Sequence, residues 1–383
     1  MYSWPRRYPP LVRVLIAPNA FKGSASARVA ADAIARGVCA ARDDAMIDLC
    51  PISDGGDGLV DVLHDALGGS IRAASVKGPL GESVSARFLL IDGTTAVIEM
   101  AEASGLTLIA AHRRDPMRTS TFGTGELIGA ALDAGATRLV IGLGGSATND
   151  GGTGMAAALG VRFLGADGDA IEPCGGTLAA IRSIDATGLD ERVRAASIEA
   201  AFDVHNALLG PAGAARVYGP QKGATPKIVD ALDAGLANLA NVIESDLGVS
   251  VRMAEGAGAA GGLGAGVVAF LGGELRQGAA LVLDLLAVDD RLERADLVIT
   301  GEGRLDDSSL HGKAPVSIAR RARAAGVESV AIVGSHVASP ATREAFDGII
   351  ELRRDGESDE DAMRETTSRL ETAGRAAVER ATP

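Results

Sequence analysis

The stretch Gly142–Gly160, GLGGSATNDGGTGMAAALG, decides how this chain is read. It follows the apolar run Arg138–Gly142, which reads as a buried strand, and passes into Met155–Leu159, which reads as the start of a helix. Between them stand Gly144, Gly145, Gly151, Gly152 and Gly154, with Ser146, Thr148, Asn149 and Asp150. Glycine reaches dihedrals closed to other residues and lets another group approach its backbone N–H donors. A helix N-terminus beside such a loop favours anions. Strand, glycine-rich polar loop and helix together make a cradle for phosphate or carboxylate. A tight turn capped by Ser or Asn is the alternative, and so many glycines and small polar groups weigh against it.

Working outward, the chain alternates short apolar strands with Ala-rich helical stretches. Leu11–Ile16 reads as a strand, and Ala25–Arg42 has helical spacing with Ser24 or Ser26 as its cap. Ala86–Ile91 and Thr95–Met100 read as two strands around Asp92-Gly93, a hairpin signal. Gly123–Ala134 and Lys227–Leu247 read as helices, Ile198–Val204 as a strand, and Ser358–Ala381 as a charged amphipathic terminal helix. Leu297–Thr300 and Ser329–Val333 are strands, each followed by glycine and small polar residues. The fold class is α/β with mostly parallel sheets. A middle domain inserted into a discontinuous outer one fits this order, with crossings near Gly78-Pro79-Leu80-Gly81 and near Val288–Glu293. That assigns 11–79 plus 290–383 to the outer domain and 80–289 to the inserted one.

Composition bounds the function classes. A length of 383 residues suits about two domains with ample core. Hydrophobic residues make up 47% but aromatics only 3%, so the core must be built from Ala, Val, Leu and Ile. A net charge of −13 argues against a general nucleic-acid or anionic-membrane binder, though local Lys and Arg can still recruit an anionic small substrate. Three widely spaced cysteines, Cys39, Cys50 and Cys174, give no zinc pattern and suggest a reducing compartment. The N-terminal MYSWPRRYPP lacks an apolar signal core, and Gly256–Gly273 reads as a glycine-rich loop leading into a helix rather than a membrane span. The expectation is a cytoplasmic protein.

Several further polar glycine loops follow strands, where ligands of parallel sheets bind. Pro18–Ser26 offers Lys22 and the hydroxyls of Ser24 and Ser26 at a helix start, able to hold phosphate or carboxylate, or simply a surface Lys beside a capped helix. Pro51–Gly58 sets Asp54 and Asp57 three apart in a glycine turn, suited to hydrated magnesium or a substrate hydroxyl, or simply to an Asp-Gly turn. Ala201–Asn206 places Asp203 at a strand end as a candidate base, with a turn-capping Asp as the alternative; His205 has no partner histidine at ligand spacing. Tyr218–Gly223 brings Lys222, able to reach an anion. Thr300–Lys313 combines Glu302, Arg304, Asp306 and Lys313: cations to neutralise phosphoryl oxygens and carboxylates to hold magnesium. There is no GxxxxGK[ST] P-loop, GxSxG, HExxH or CxxC. Gly256–Gly261 matches GxGxxG but follows no clear strand, so small-residue packing explains it better.

As a set, these loops resemble the bacterial type-1 glycerate kinases. The matching segments are APNAFKGSASA at Ala17–Ala27, PISDGGDG at Pro51–Gly58, IEMAEASGL at Ile98–Leu106 and TSTFGTGELI at Thr119–Ile128. They continue with IGLGGSATNDGGTGMAAALG at Ile141–Gly160, GPQKGAT at Gly219–Thr225, GAGAAGGLGAG at Gly256–Gly266 and ADLVITGEGRLDDSSLHGKAP at Ala295–Pro315. They keep the family's order over about residues 12–375, and the Gly142–Gly160 and Ala295–Pro315 segments are highly specific. The resemblance implies ATP- and magnesium-dependent phosphorylation of D-glycerate, usually at the 2-hydroxyl. It also implies a Rossmann-like domain made from both chain ends, an inserted α/β domain and an active site in the cleft. The chain departs from the family where Asn19-Ala20 replaces Asp-Ser, where Asp57 replaces Glu, and where His205 and Ala207 interrupt Asp-x-Asp-Asn-Pro-Leu. These departures bear on substrate preference and rate more than on reaction class.

The residues assigned on this reading are Asp203, Arg304, Lys22 and Lys313 for catalysis, and Gly144, Gly145, Ser146, Thr148, Asn149 and Gly151 for ATP. Ser24, Asp54, Asn206 and Lys222 are assigned to the substrate, and Asp150, Glu302 and Asp306 to Mg2+. The expected partner is the small molecule D-glycerate, with neither nucleic acid nor membrane, and with room for a homo-oligomer. Two other classes stay in view. A dinucleotide-dependent hydroxy-acid oxidoreductase would use the GxGxxG match with an acidic residue about 20 positions on at a strand end, where Asp284 falls in a helical stretch. A non-catalytic sugar-acid sensor would need one anion site and no metal carboxylates.

Overall fold

The computed structural model describes residues 12–381 apart from Asp57, Val204, His205, Ala338 and Asp355. The proposals touching Asp57 and His205 therefore lie outside the described residues. The chain divides into two compact units, one formed by the chain up to Asp54 together with the chain from Val282, the other by Gly55–Leu281.

The first unit carries a five-stranded parallel sheet. Edge to edge its strands are Gly348–Glu351, Glu328–Val337, Leu297–Asp306, Arg13–Pro18 and Met46–Leu49. The central three read as near-continuous Val, Ile, Leu and Ala runs because helices cover both faces. On one face Val14, Ile16, Ile34, Val38, Ile299, Ile332, Leu370 and Val378 share a core; on the other, Leu305, Val316, Ala331, Val333 and Phe346 share a second. Helix Ala27–Ala41 starts where Ser26 accepts the Val29 amide, so Ser26 rather than Ser24 is the cap. Chain order reverses between the neighbouring parallel strands Arg13–Pro18 and Leu297–Asp306. The carboxyl ends beside such a switch point open a crevice for ligands.

The second unit carries a six-stranded mixed sheet: Glu274–Gln277, Ser197–Phe202, Arg138–Gly142, Thr95–Glu99, Ser83–Ile91 and Ser70–Lys77. The first four run parallel, and the last two add antiparallel hairpins. Asp92 and Gly93 both take positive φ in the turn between Ser83–Ile91 and Thr95–Glu99, as the Asp-Gly signal requires. Because Ser70–Lys77 pairs with Ser83–Ile91, Gly78-Pro79-Leu80-Gly81 is a hairpin turn inside this unit. The crossings fall between Asp54 and Gly55 and between Leu281 and Val282, not near 79 and 290.

Two helices differ from expectation. The one after the glycine loop spans only Thr153–Ala158. The terminal stretch is broken into Asp359–Arg364 and Thr366–Ala381. At the break the Thr366 hydroxyl donates to the Ala362 carbonyl, a side-chain competitor to the helical ladder. No helix among the described residues is long and apolar enough to cross a membrane.

Candidate active site

In the first unit the sequence-assigned groups collect at the switch point. The strand Leu297–Asp306 runs out through Glu302, Arg304 and Asp306, a 3-10 turn follows at Asp307–His311, and helix Ala314–Ala325 begins beyond Lys313. Lys313 Nζ lies 3.7 Å from Glu302 Oε2 and 3.8 Å from Asp306 Oδ1. Arg304 reaches Asp306 at 3.6 Å but leaves 67% of its side chain exposed. Ser309 donates to Glu302 Oε1 at 2.8 Å. Burial outweighs both Lys313 and Ser309, with Asp54 and Asp306 adding like charge, and pushes Glu302 up to about 7.

The loop after the neighbouring strand meets this cluster. An ideal Cβ at Gly303 would stand 3.4 Å from the Lys22 backbone nitrogen, so the two strand ends run side by side. Lys22 is exposed, and among the described residues it forms no ion pair. Asp54 accepts Asn19 Nδ2 and the Ala314 amide, each at 2.7 Å, so its carboxylate caps the helix that Lys313 introduces. Ser24 donates to the Phe21 carbonyl at 3.1 Å and closes the turn holding Lys22. Asn19 and Ser309 were not assigned by the sequence; each is an ordinary polar residue until the fold sets it against a carboxylate.

In the second unit the glycine loop leaves strand Arg138–Gly142 at the same sheet edge as Asp203, and the Leu143 amide bonds the Ala201 carbonyl at 3.0 Å. Gly144 is half-buried and Gly145 exposed, with φ +66 at Gly145; Ser146 through Asp150 are buried. The outward corner is therefore Gly144–Gly145 alone. Gly151 instead packs inward, because a Cβ there would meet Leu239 at 2.4 Å. Thr148 Oγ1 and both polar atoms of the Asn149 carboxamide are buried with no hydrogen-bond partner among the described residues.

Asp150 is fully buried. Its carboxylate accepts the Thr121 amide at 2.7 Å, the Thr121 hydroxyl at 2.8 Å, the Gly154 amide at 3.2 Å and the Gly152 amide at 3.3 Å. Burial raises its pKa against these four donors. In this arrangement the carboxylate shapes the loop from within. Lys222, only 2% exposed, donates to Ser146 Oγ at 2.8 Å and to the Thr148 carbonyl at 2.6 Å, reaching the loop rather than open solvent. Thr121, the partner of Asp150, had no sequence signal beyond its place in TSTFGTGELI.

Asp203 is exposed just past strand Ser197–Phe202. Its charge bears on Tyr218, whose phenol is raised first by burial and then by Asp203. Tyr218 donates to Asn206 Oδ1 at 2.8 Å, and Asn206 donates to the Ala212 carbonyl at 2.9 Å. Asn206 is thereby fixed from both ends, and Tyr218 is a site neighbour that sequence reasoning missed.

The dinucleotide features resolve into packing. A Cβ at Gly256 would lie 2.6 Å from the Phe202 ring, and one at Gly261 would lie 2.0 Å from the Thr148 carbonyl oxygen. Asp284 sits in helix Gly278–Leu285 and holds Arg321 at 2.7 Å, not at a strand end. Among the described residues no three His, Cys, Asp or Glu side chains form a ready metal cluster.

Paired carboxylates and cations at the switch point of one parallel α/β unit, and a glycine loop in the other, are the features that enzymes acting on small anionic molecules use. The glycerate kinase family model matches residues 14–382. Glycerate kinase from Bacillus subtilis (strain 168) is 50% identical over 325 residues, covering 85% of each chain. Glycerate 2-kinase from Escherichia coli (strain K12) is 46% identical over 325 residues, again covering 85% of each. A crystal structure from Salmonella typhimurium LT2, assigned as glycerate kinase 2, superposes with a TM-score of 0.87 at 42% identity, covering 97% of this chain and 98% of that one. The chain belongs to the glycerate kinase family, and its fold is the α/β fold of that family.

Proposed function

We propose that the protein transfers the terminal phosphoryl group of ATP to the 2-hydroxyl of D-glycerate, with magnesium, giving 2-phosphoglycerate and ADP. The observation that carries this reading is the grouping of Glu302, Asp306 and Lys313 beside Lys22 and Arg304 at the carboxyl ends of two adjacent parallel strands. The family relatives named for glycerate kinase and glycerate 2-kinase support the substrate.

Phosphoryl transfer is mostly positioning and charge stabilisation. The oxygen of the 2-hydroxyl bonds to the terminal phosphorus, the bond from that phosphorus to the bridging oxygen breaks, and ADP departs. Lys22, Arg304 and Lys313 supply positive charge for the phosphoryl oxygens. Asp203, exposed and ionisable at its strand end, accepts the hydroxyl proton. Gly144 and Gly145 offer backbone donors to an anionic group, phosphate or carboxylate. The donor set fits magnesium, which keeps several waters and takes one or two carboxylates plus substrate phosphates; Glu302 and Asp306 would hold it. The ion, when bound, neutralises charge developing on the transferring group.

The test is coupled ADP release from ATP with D-glycerate, with and without magnesium. Glycerate- and magnesium-dependent release is expected. No release, together with NAD(P)-dependent oxidation of a hydroxy acid, would overturn the reading in favour of the oxidoreductase.

A further inference from the structure

Lys222 is a cation placed where water cannot reach it, with two acceptors from one loop. Its ammonium holds Ser146 Oγ and the Thr148 carbonyl, two residues apart. Between them Ala147 is pinned separately: its amide bonds the Ser104 carbonyl at 2.9 Å and its carbonyl accepts Thr119 Oγ1 at 3.0 Å. Lys222 comes from the 3-10 turn Pro220–Lys222, and the following Gly223 takes φ +97 with its Cβ position 2.4 Å from the Arg114 carbonyl oxygen. The turn is thus fixed against a separate segment, and the ammonium is delivered to the underside of the glycine loop. The buried Asp150 charge favours the ammonium, although burial prevails and pushes its pKa down to about 7.

A buried cation is seldom the most stable choice for a core position; an apolar side chain of similar volume is often neutral or better. Here the ammonium instead selects one shape for residues 146–148 and so sets the direction of the exposed Gly144–Gly145 corner. We propose that Lys222 is a positioning residue: it does not touch the ligand, but holds the glycine loop in the conformation that receives an anionic group. This rests on the reading that the loop binds ATP phosphate or the glycerate carboxylate.

Lys222→Met keeps an unbranched apolar body one atom shorter and removes the charge. The expected result has three parts: a thermal midpoint equal to or above that of the unsubstituted protein; amide hydrogen exchange at least about tenfold faster in peptides covering 142–152, with peptides of the strands 95–99 and 197–202 unchanged; and a rise of at least about tenfold in the Michaelis constant of one substrate, ATP or glycerate, with the other within twofold. Unchanged exchange in 142–152, or a lowered midpoint with both Michaelis constants unchanged, would overturn the proposal. Should Lys222→Met fail to fold, Lys222→Gln retains an uncharged N–H donor group and is expected to show an intermediate increase in exchange. The exchange measurement needs no turnover, so an inactive unsubstituted protein would sink the kinase reading while leaving this test decisive.

Discussion

Replacing Gly261 by Ala tests whether the glycine loop is held by close backbone packing. Gly261 lies inside the helix Ala259–Leu271, where Ala260, Gly261 and Gly262 leave the helical region and take positive φ. Its φ is +71, and an added Cβ would stand 2.0 Å from the Thr148 carbonyl oxygen and 2.7 Å from Asn149 Cα. Its own carbonyl accepts the Gly151 amide at 3.1 Å. Left-handed backbone costs an L-residue about 1–2 kcal/mol, and overpacking adds about 1–3 kcal/mol. The sum, roughly 2–5 kcal/mol, corresponds to a fall of about 4–20 °C in the midpoint of a unit this size. Gly272 is the control: φ is +65, but among the described residues no atom beyond its own chain neighbours lies within 4 Å of its Cβ position. Gly272→Ala should cost only the strain, about 1–2 kcal/mol. Calorimetry gives the midpoints and steady-state kinetics the Michaelis constants. Gly261→Ala should lose more stability and raise the Michaelis constant of the substrate proposed to meet the loop, ATP or glycerate, at least about tenfold, while Gly272→Ala leaves both Michaelis constants alone. Equal midpoints in the two variants, with unchanged kinetics in Gly261→Ala, would refute the packing argument.

Other outcomes follow from the two site groupings. Asp203→Asn removes the proposed proton acceptor while keeping its shape; turnover should fall roughly 100- to 10,000-fold with ATP affinity little changed, and a small fall with a large rise in the glycerate Michaelis constant would make Asp203 a substrate-positioning group. Glu302, raised from 4.5 to about 7, binds a proton in the folded state that the unfolded chain releases. The stability it contributes is fully present below pH 4.5 and is lost as pH rises through about 7, on the order of 3 kcal/mol in all. Glu302→Gln cannot ionise, so urea unfolding at pH 5 and pH 8 should show the variant gaining relative to the unsubstituted protein at the higher pH; parallel pH dependences would show that Glu302 does not titrate there.

Much of the fold was legible because local chemistry and global fold agree. The Asp92-Gly93 hairpin, the Ser26-capped helix and the apolar strand Arg138–Gly142 all appear where pattern and turn residues place them. The unit boundary was not legible, because Gly78-Pro79-Leu80-Gly81 has linker composition and only the pairing of Ser70–Lys77 with Ser83–Ile91 shows it to be a turn. For the candidate site residues, their facing is what sequence does not carry. Glu302, Asp306 and Lys313 share one short segment, so their meeting could be anticipated. The inward orientation of Lys222 and Asp150 could not, because their partners Ser146 and Thr121 lie 76 and 29 residues away. Tyr218 and Asn19 likewise acquire meaning only from partners distant in sequence, Asn206 and Asp54.

The most direct test of the central claim is phosphorus NMR of the protein incubated with magnesium, ATP and D-glycerate. The account predicts that the ATP signals give way to those of ADP and of one new phosphomonoester, coupled to the single proton on carbon 2 as 2-phosphoglycerate requires. ATP persisting unchanged, or converting to ADP and inorganic phosphate with no phosphomonoester formed, would contradict it.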